Sequence, residues 1–311
     1  MNINSIFMII FNVNFINIMK FVFLLFLFVS LSCSDELINQ DYLDWKTKRK
    51  KALYSKDGYL NLAGLYHISN GEYSMGSDNT NDIKMPEDFP DKFATIYVYD
   101  STILFDYNIK VIYKDSIAVN KVLMNYYNKG EFFSWNSFSW YVHMDSGVKA
   151  IRLRNIKHPL LQNDIKIDFF PYNENLVIKG IFEAYKQEKE IKFFNIQGGT
   201  FFDKIPGKIK FTLEGESYWL EPTISDSGKL FLVFGDLTNG EDTYGGGRFL
   251  YVLPPDLDGN IVLDFNKAYN PPCVFSSFTT CPIPSSQNVL PIKIKAGEKN
   301  YEGISFSSVY E

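Results

Sequence analysis

The stretch from Phe138 to Asn155, "FSWYVHMDSGVKAIRLRN", alternates apolar and polar residues on both sides of an Asp-Ser-Gly break. A period of two is the pattern of a half-buried strand, because successive side chains point to opposite faces of a sheet. Asp145-Ser146-Gly147 supplies residue types that favour a tight turn. The stretch therefore predicts a β-hairpin. His143 lies among its aromatic residues, where a packing or surface role is favoured over catalysis.

The same alternation recurs along most of the chain and separates into two series. The first includes "ATIYVYD", "TILFDYNIKVIYKD" and "IKIDFF", and the second runs from "LVIKGIFEAY" to "VLPIKIKAGEK". Strands do not alternate with helices, which disfavours a parallel-sheet fold. We predict a mainly β protein of two antiparallel halves, each resembling a sandwich or barrel, over residues 59–170 and 171–311. The alternative is one larger sandwich in which Pro171 lies in an internal loop.

Two further dipeptides predict turns in the second half. Glu214-Gly215 and Asp258-Gly259 stand between strand-like segments, where hairpin tips are expected. If residues 248–253 and 261–266 pair as strands, the second turn closes a hairpin between them.

A single helix is predicted ahead of the strands. In "DYLDWKTKRKKALYSKDG", residues 41–58, apolar residues are spaced among charges and Gly58 provides a stop. The basic run in this helix faces solvent or, in the alternative, contacts anionic lipid.

The N-terminus predicts export and lipid attachment. Met19-Lys20 precedes an apolar run, Phe21 to Val29, and then "SLSCSDE", which together have the features of a secretory signal. We interpret residues 1–32 as a signal peptide, with Met19 as an alternative start, and residues 33–58 as a lipidated N-terminus with the helix. The Ser-Leu-Ser-Cys junction resembles a lipoprotein signal-peptidase site, so Cys33 is the predicted site of acylation, for example with palmitate.

This interpretation implies a lipid-anchored protein of the cell envelope, with the membrane as its partner. The acidic residues after Cys33 resemble the surface-export signal of some Gram-negative lipoproteins, which points to the outer membrane and its exposed face. The alternative is a transmembrane anchor, but asparagines interrupt any apolar span of the length that a bilayer helix needs.

The chain has three cysteines, and lipidation of Cys33 leaves Cys273 and Cys281. Three interpretations of this pair stay open. A disulfide fits an exported protein, and a reactive thiol requires a nearby base. A zinc site lacks the close Cys-x₂₋₄-Cys spacing.

The composition and the absence of several motifs reduce the number of possible functions. The formal net charge of −5 disfavours a nucleic-acid partner, which requires a basic surface. The chain has no G-x-S-x-G elbow, no phosphate-binding loop and no dinucleotide fingerprint. The three histidines, His67, His143 and His158, are scattered. We therefore expect no metal and no cofactor.

The segment "MGSDNTNDIKMP", Met75 to Pro86, resembles part of a forkhead-associated domain. The resemblance implies that the first half is a small β-sandwich module. Phosphopeptide binding in that family needs an arginine after the glycine, and Ser77 stands there in this chain. The later S-x-x-H of that fold is also missing, so the phosphopeptide site is not carried over.

The C-terminal third resembles an uncharacterised prokaryotic family catalogued as domain of unknown function 1684. "FGDLTNGEDTYGGGRFLYV", "VLDFNKAYNPPCVFSSFTTCPIPSSQN" and "AGEK" carry the resemblance. The resemblance begins near "WKTKRKKALYSKDGYLNLAGLYHI" and covers nearly all of the chain after the signal, although it is weaker through residues 90–170. Tyr59 and Tyr66 stand where the family usually has tryptophan. The resemblance implies a family and no activity.

The C-terminal block also holds the candidate binding residues. The guanidinium of Arg248 presents a fork of donors suited to a carboxylate or phosphate. If neighbouring strand ends converge, a pocket for a small polar or anionic ligand forms. Its residues would be Arg248, Asp264, Asn266, Tyr269, Asn270 and Asn288. The alternative is that Arg248 pairs internally with Asp236 or Asp264 and fixes the loop.

Two other functions stay open. A hydrolase would use Asp264 or Glu298 as general base, with Arg248 stabilising negative charge. A structural component of a surface complex would have no pocket.

Overall fold

The computed structural model describes residues 40–125, 127, 130–145 and 147–311. The predicted signal peptide, the alternative start at Met19 and the lipidation site at Cys33 lie outside the described residues. Among the described residues, 40–50 belong to one unit and 51–311 to another. Within the described part of the chain, no helix combines the length and the apolar character that crossing a membrane requires.

The predicted helix is present and covers residues 40–53. It ends before Gly58, the stop expected from the sequence. Residues 54–60 form turns instead, and the N–H of Gly58 donates to the carbonyl of Ser55 at 2.8 Å.

The first half forms a nine-stranded sheet. Its strands are β1 (Leu62–His67), β2 (Gly71–Gly76), β3 (Ile83–Lys84), β4 (Ala94–Tyr99), β5 (Thr102–Tyr113), β6 (Ile117–Asn125), β7 (Phe133–Trp135), β8 (Phe138–Asp145) and β9 (Val148–Asn155). Their order is β1-β9-β8-β7-β5-β4-β2-β3, and β6 pairs with β5. The predicted hairpin is confirmed, because β8 and β9 pair from Phe138 opposite Asn155 to Asp145 opposite Val148.

Alternation along β9 separates an apolar face from a cationic one. Ile151 and Leu153 are fully buried in the core of the first half, together with Trp140 of β8. Arg152 and Arg154 have the intervening positions, so their side chains leave the sheet on its other face. The chain order thereby places two guanidinium groups on one face of the sheet.

The second half contains seven strands in two sheets. Its strands are β10 (Val177–Phe194), β11 (Thr200–Leu213), β12 (Glu216–Leu220), β13 (Thr223–Ile224), β14 (Leu230–Phe234), β15 (Arg248–Val252) and β16 (Asn260–Asp264). One sheet has the order β12-β11-β10-β16 and the other the order β13-β14-β15. The predicted turn at Glu214-Gly215 is confirmed, because Leu213 pairs with Glu216.

The expected hairpin between β15 and β16 is wrong. Strand β15 pairs with β14, and β16 pairs with β10, so the two strands belong to different sheets. Asp258-Gly259 turns the chain into β16 without closing a hairpin to β15. The connection contains Pro254 and Pro255, which have no N–H to donate to a ladder.

The predicted fold class is confirmed. The protein is mainly β, with an N-terminal helix and two halves built of curled sheets. In the second half, apolar residues of both sheets share one core, among them Ile209, Leu232, Leu250 and Leu263.

Candidate functional site

Arg248 opens strand β15, and its side chain is 0% exposed. Its guanidinium donates to the carboxylate of Asp236 at 2.5 Å, to the carbonyl of Ile294 at 2.9 Å and to the carbonyl of Ala296. The guanidinium also lies 5.4 Å from the ring centroid of Phe234. Burial lowers the pKa of Arg248, and the nearby Asp236 carboxylate opposes that effect. The geometry is that of an internal ion pair, one of the two alternatives open from the sequence.

The Asp236 carboxylate is held in turn by its own loop. It accepts the N–H of Thr238 at 2.8 Å and the Thr238 hydroxyl at 2.6 Å. Gly247, directly before Arg248, has a φ of +88°, and a Cβ there would lie 2.7 Å from the carbonyl oxygen of Phe234. This glycine, rather than the two before it, is the one whose backbone conformation requires the absence of a side chain.

The two candidate general bases have separate surroundings. Asp264 accepts the N–H of Asn266 at 3.1 Å and pairs with Lys267 at 3.2 Å, rather than with Arg248. Glu298 is fully buried and accepts the N–H of Asn270 at 2.7 Å. The charge of Glu298 also raises the pKa of Arg248, so the structure brings these two charges close to one another.

Two of the candidate asparagines bind backbone groups. Asn266 accepts the N–H of Asn173 at 2.9 Å and donates to its carbonyl at the same distance. Asn288 likewise accepts the N–H of Glu221 and donates to the carbonyl of Glu221, each at 2.8 Å. It also donates to the carbonyl of Val233. Each amide thereby joins two distant segments of the chain.

The remaining candidates continue this internal network. The side chain of Asn270 donates to the carbonyl of Lys299 at 2.8 Å. The ring of Tyr269 lies edge-on to Phe249 at 5.9 Å and stacks near Tyr251 at 6.2 Å. The six predicted binding residues therefore contact the protein itself, and Asp264 is not joined to Arg248.

Cys273 and Cys281 are free thiols in the structure, so the disulfide stays a prediction. The N–H of Cys273 lies 3.1 Å from Sγ of Cys281, and the Tyr244 hydroxyl lies 3.6 Å from Sγ of Cys273. Burial raises the pKa of Cys281, whereas a hydrogen bond from Cys281 lowers that of Cys273.

A second polar cluster lies where the cationic face of β9 meets the loop before Cys281. Arg152 is 6% exposed, and its Nη2 lies 3.2 Å from Nε2 of His143 and 3.4 Å from the Thr280 hydroxyl. The same hydroxyl lies 3.1 Å from Nε2 of His143. Arg152 and Thr280 donate to Nε2 of His143, so this nitrogen carries no proton and the imidazole is neutral. We call Arg152, His143 and Thr280 the arginine cluster.

The charge of Arg152 has no counter-ion among the described residues. No carboxylate in that part of the chain pairs with it, and its buried Nε makes no hydrogen bond. Burial lowers the pKa of His143 to about 3, and the charges of Arg152 and Arg154 add to the effect. The cluster is therefore cationic through its arginines while its imidazole is uncharged.

Arg154 and Tyr59 border the arginine cluster. Arg154 donates to the carbonyl of Gly58 and, at 2.7 Å, to the side chain of Asn61, which are both neutral acceptors. Tyr59 is 37% exposed, yet burial around its hydroxyl raises its pKa, Cys281 raises it further, and Arg152 lowers it. The Tyr59 hydroxyl makes no hydrogen bond with any described residue. Beside Arg152, the Tyr59 hydroxyl is therefore a second hydrogen-bond donor without an acceptor, the first being Nε of Arg152 itself.

The cluster was missed from the sequence because its members lie far apart. Arg152 and Thr280 are 128 positions apart, and Thr280 carries no motif. One local signal was present. The "RLR" of β9 predicts two arginines on the same face, and no acidic residue stands between Ser137 and Met144 on the strand before it.

Within the described ranges, no group of three or more histidine, cysteine, aspartate or glutamate side chains is arranged to hold a metal ion.

Comparison with known proteins finds a family model similar to part of the chain. Residues 165–299 match the model of a family described as protein of unknown function DUF1684. The chain is similar to the solution NMR structure of an uncharacterized protein of Haloarcula marismortui, at 29% identity and a TM-score of 0.38, over 45% of this chain and 80% of that one. No curated protein matches the chain.

The match supports the resemblance drawn from the C-terminal motifs over that range. It includes Arg248, Thr280 and both free cysteines, whereas Tyr59 and Arg152 lie outside it. The arginine cluster therefore joins the matched region to the rest of the chain.

Proposed function

We propose that this chain is an exported, lipid-anchored protein that binds a small anion of the carboxylate or phosphate type at Arg152. The observation that carries the binding proposal is the buried guanidinium of Arg152 without a carboxylate partner among the described residues. Support for export and anchoring comes from the apolar run before Cys33 and the "SLSC" junction.

An uncompensated buried cation is unfavourable, because removing a charge from water costs several kcal/mol unless a counter-charge offsets it. A ligand oxyanion beside Arg152 would offset that cost. It would accept hydrogen bonds from Nε of Arg152 and from the Tyr59 hydroxyl, one a cationic donor and the other a neutral one. Carboxylates and phosphates match the planar fork of a guanidinium, so they are the expected ligand class.

The contacts of the other predicted site residues favour this location over Arg248. The Arg248 guanidinium already has Asp236 and two carbonyl groups as acceptors, and its side chain is fully buried. Hydrolysis at Asp264 or Glu298 has less support. Asp264 pairs with Lys267, and Glu298 is buried and accepts the N–H of Asn270.

Thermal unfolding of the full chain in detergent tests the binding proposal. Inorganic phosphate, sulfate, citrate and acetate are added at constant ionic strength, with chloride as the reference anion. A bound anion at about 100 times its Kd adds about 2.7 kcal/mol, which raises the melting temperature of a protein of this size by roughly 5 °C. Arg152→Gln should abolish the shift, because glutamine keeps a donor and removes the charge.

Lys110→Gln is the matched control, because Lys110 is an exposed cation of β5 in the same sheet. It should retain the full shift. Equal shifts in the wild type and in Arg152→Gln would exclude Arg152 as the binding group, and no shift with any of the four anions would exclude the ligand class.

The anchoring proposal has its own test. Metabolic labelling with radioactive palmitate in a bacterial host should mark the wild-type chain, and Cys33→Ser should abolish the label. Equal labelling of both proteins would place the acyl chain elsewhere.

A further inference from the structure

The backbone around Cys273 and Cys281 holds the two thiols close together. Cys273 lies in a 3-10 turn, Pro272–Val274, and its N–H points to Sγ of Cys281 at 3.1 Å. The carbonyl of Cys281 accepts the N–H of Ile196 at 3.0 Å. Between the cysteines, the side chain of Gln197 donates to the carbonyls of Ser277 and Thr279, at 2.6 and 3.1 Å. The loop is therefore fixed with its two sulfur atoms as neighbours.

The two thiols have different surroundings. Cys281 is buried, and its Sγ lies 3.6 Å from the hydroxyl of Thr279. Cys273 retains partial exposure, and the Tyr244 hydroxyl lies 3.6 Å from its sulfur. A hydroxyl and a neighbouring thiol can both donate to a thiolate on Cys273. The pKa directions agree, because hydrogen bonding lowers the pKa of Cys273 and burial raises that of Cys281.

Hydrogen bonds to its backbone carbonyl hold Tyr244 in place beside Cys273. Its carbonyl accepts the side chain of Asn239 at 2.9 Å and the N–H of Gly247 at 3.2 Å. The glycine-rich loop before Arg248 thereby presents a hydroxyl to the more exposed of the two sulfur atoms.

We infer that Cys273 and Cys281 form a redox-active dithiol that undergoes thiol–disulfide exchange, in which Cys273 attacks and Cys281 resolves. The substrate class is a molecule that carries an accessible disulfide. Accessibility and a stabilised thiolate determine which thiol attacks such a bond, and both features belong to Cys273. The activity goes beyond anion binding and does not depend on it.

The exchange proceeds in two balanced steps. The Cys273 thiolate attacks one sulfur of the substrate disulfide, an S–S bond forms to Cys273, and the other substrate sulfur leaves as a thiolate. That thiolate takes up from water the proton that Cys273 released on ionising. Cys281 then attacks Sγ of Cys273 and gives its proton to the departing thiolate. The substrate disulfide is reduced to two thiols and the cysteine pair is oxidised to a disulfide. A dithiol reductant restores the pair by the reverse exchange.

The test uses the full chain in detergent with Cys33→Ser, so that Cys273 and Cys281 are its only thiols. The protein is reduced with dithiothreitol, freed of reductant and mixed with 5,5′-dithiobis(2-nitrobenzoate). The Cys33→Ser protein should release two thionitrobenzoate anions and end as the internal disulfide without a bound aryl group, as read by mass spectrometry. Circular dichroism before and after shows that the folded protein reacts.

Single substitutions separate the two roles. With Cys281→Ser, one thionitrobenzoate should be released and a stable mixed disulfide should remain on Cys273. With Cys273→Ser, the reaction should slow by about tenfold or more, because the remaining thiol is buried. Equal rates for the two variants, or a persistent mixed disulfide in the protein with both cysteines, would overturn the assignment.

One measurement keeps the assignment testable if a variant does not fold. The chain with both cysteines is quenched with acid early in the reaction, and the first aryl adduct is mapped by peptide mass spectrometry. An adduct on Cys273 supports the order of attack, and an adduct on Cys281 contradicts it.

Discussion

Arg248 and Arg152 are both buried arginines, and they differ in what surrounds their charge. Arg248 pairs with the Asp236 carboxylate and also donates to two carbonyl oxygens. Arg152 contacts an imidazole nitrogen and a hydroxyl, and no carboxylate among the described residues pairs with it. Both leave Nε without a hydrogen bond, so the counter-ion is what distinguishes them.

The difference separates a structural role from a binding role. A buried ion pair that is complete within the protein offers a ligand no unbalanced charge, whereas a buried cation among neutral groups offers one. The number of polar residues is a poor guide to a binding site, because the predicted binding residues of the C-terminal block hydrogen-bond or pack within the protein. The predictions below test the contrast, from the largest expected effect to the smallest.

Arg248→Met should lower the free energy of unfolding by about 3–5 kcal/mol, because it leaves the Asp236 carboxylate buried without its cation. Urea denaturation followed by circular dichroism measures the loss. Arg248→Met combined with Asp236→Asn should recover part of it, because the second change removes the unpaired charge. A loss below about 1 kcal/mol for the single variant would contradict the role of Arg248 as a structural ion pair.

The neutral state of His143 predicts acid sensitivity. Its pKa falls from the ordinary 6.5 to about 3 in the folded protein, chiefly through burial. Between these values the unfolded chain binds a proton that the folded protein does not. Stability should therefore fall as the pH falls through this window, by about 1.4 kcal/mol per pH unit from this group, and show no effect of it above pH 6.5.

Urea denaturation at several pH values between 4 and 7 measures that slope. His143→Gln should have a shallower slope, while His158 remains unchanged in both proteins as a common background. Arg152→Gln should shorten the pH window from its acid end, because the Arg152 charge contributes to the low pKa of His143. An identical slope in the wild type and in His143→Gln would contradict a neutral His143 beside Arg152.

Arg152→Gln should not lower the free energy of unfolding in the absence of anions, because the substitution removes an uncompensated charge and keeps a donor. This result would contrast directly with that of Arg248→Met in the same urea titration. A loss as large as that of Arg248→Met would show that the arginine cluster is a second structural contact and not a binding site.

Tyr59→Phe is expected to have the smallest effect. It removes the hydroxyl that has no protein acceptor and retains the ring, so the fold should be unaffected. Loss of one hydrogen bond to the anion weakens binding by about threefold to tenfold, from a contribution of about 0.5–1.5 kcal/mol. Calorimetric titration with phosphate measures the change, and an unaltered Kd would remove Tyr59 from the site.

Local patterns predicted much of the fold. The hairpin Phe138–Asn155, the turn at Glu214-Gly215 and the N-terminal helix depend on neighbouring residues, and the structure has all three. The assumed pairing of β15 with β16 failed because partner choice is non-local. Adjacent strands joined by Pro254-Pro255 cross to different sheets, and their periodicity does not reveal it.

The candidate site was harder to predict for the same reason. Arg248 was identified as important, and its pairing with Asp236 was one of two alternatives, because the two residues lie 12 positions apart in one motif. Contact between Arg152 and Thr280 depends on how the two halves pack, which no local pattern encodes. The absence of a carboxylate at Arg152 becomes visible only when every neighbour in space is known.

The central contrast can be measured on all arginines at once. The chain contains only four arginines, so the Nε–H signals of Arg49, Arg152, Arg154 and Arg248 can be assigned by substitution in an arginine-labelled NMR spectrum. Titration with inorganic phosphate at constant ionic strength should shift the Arg152 signal to a plateau and leave the Arg248 signal in place. A static Arg152 signal, or equal shifts of both signals, would contradict the proposal that the buried cation without a counter-ion is the one that binds anions.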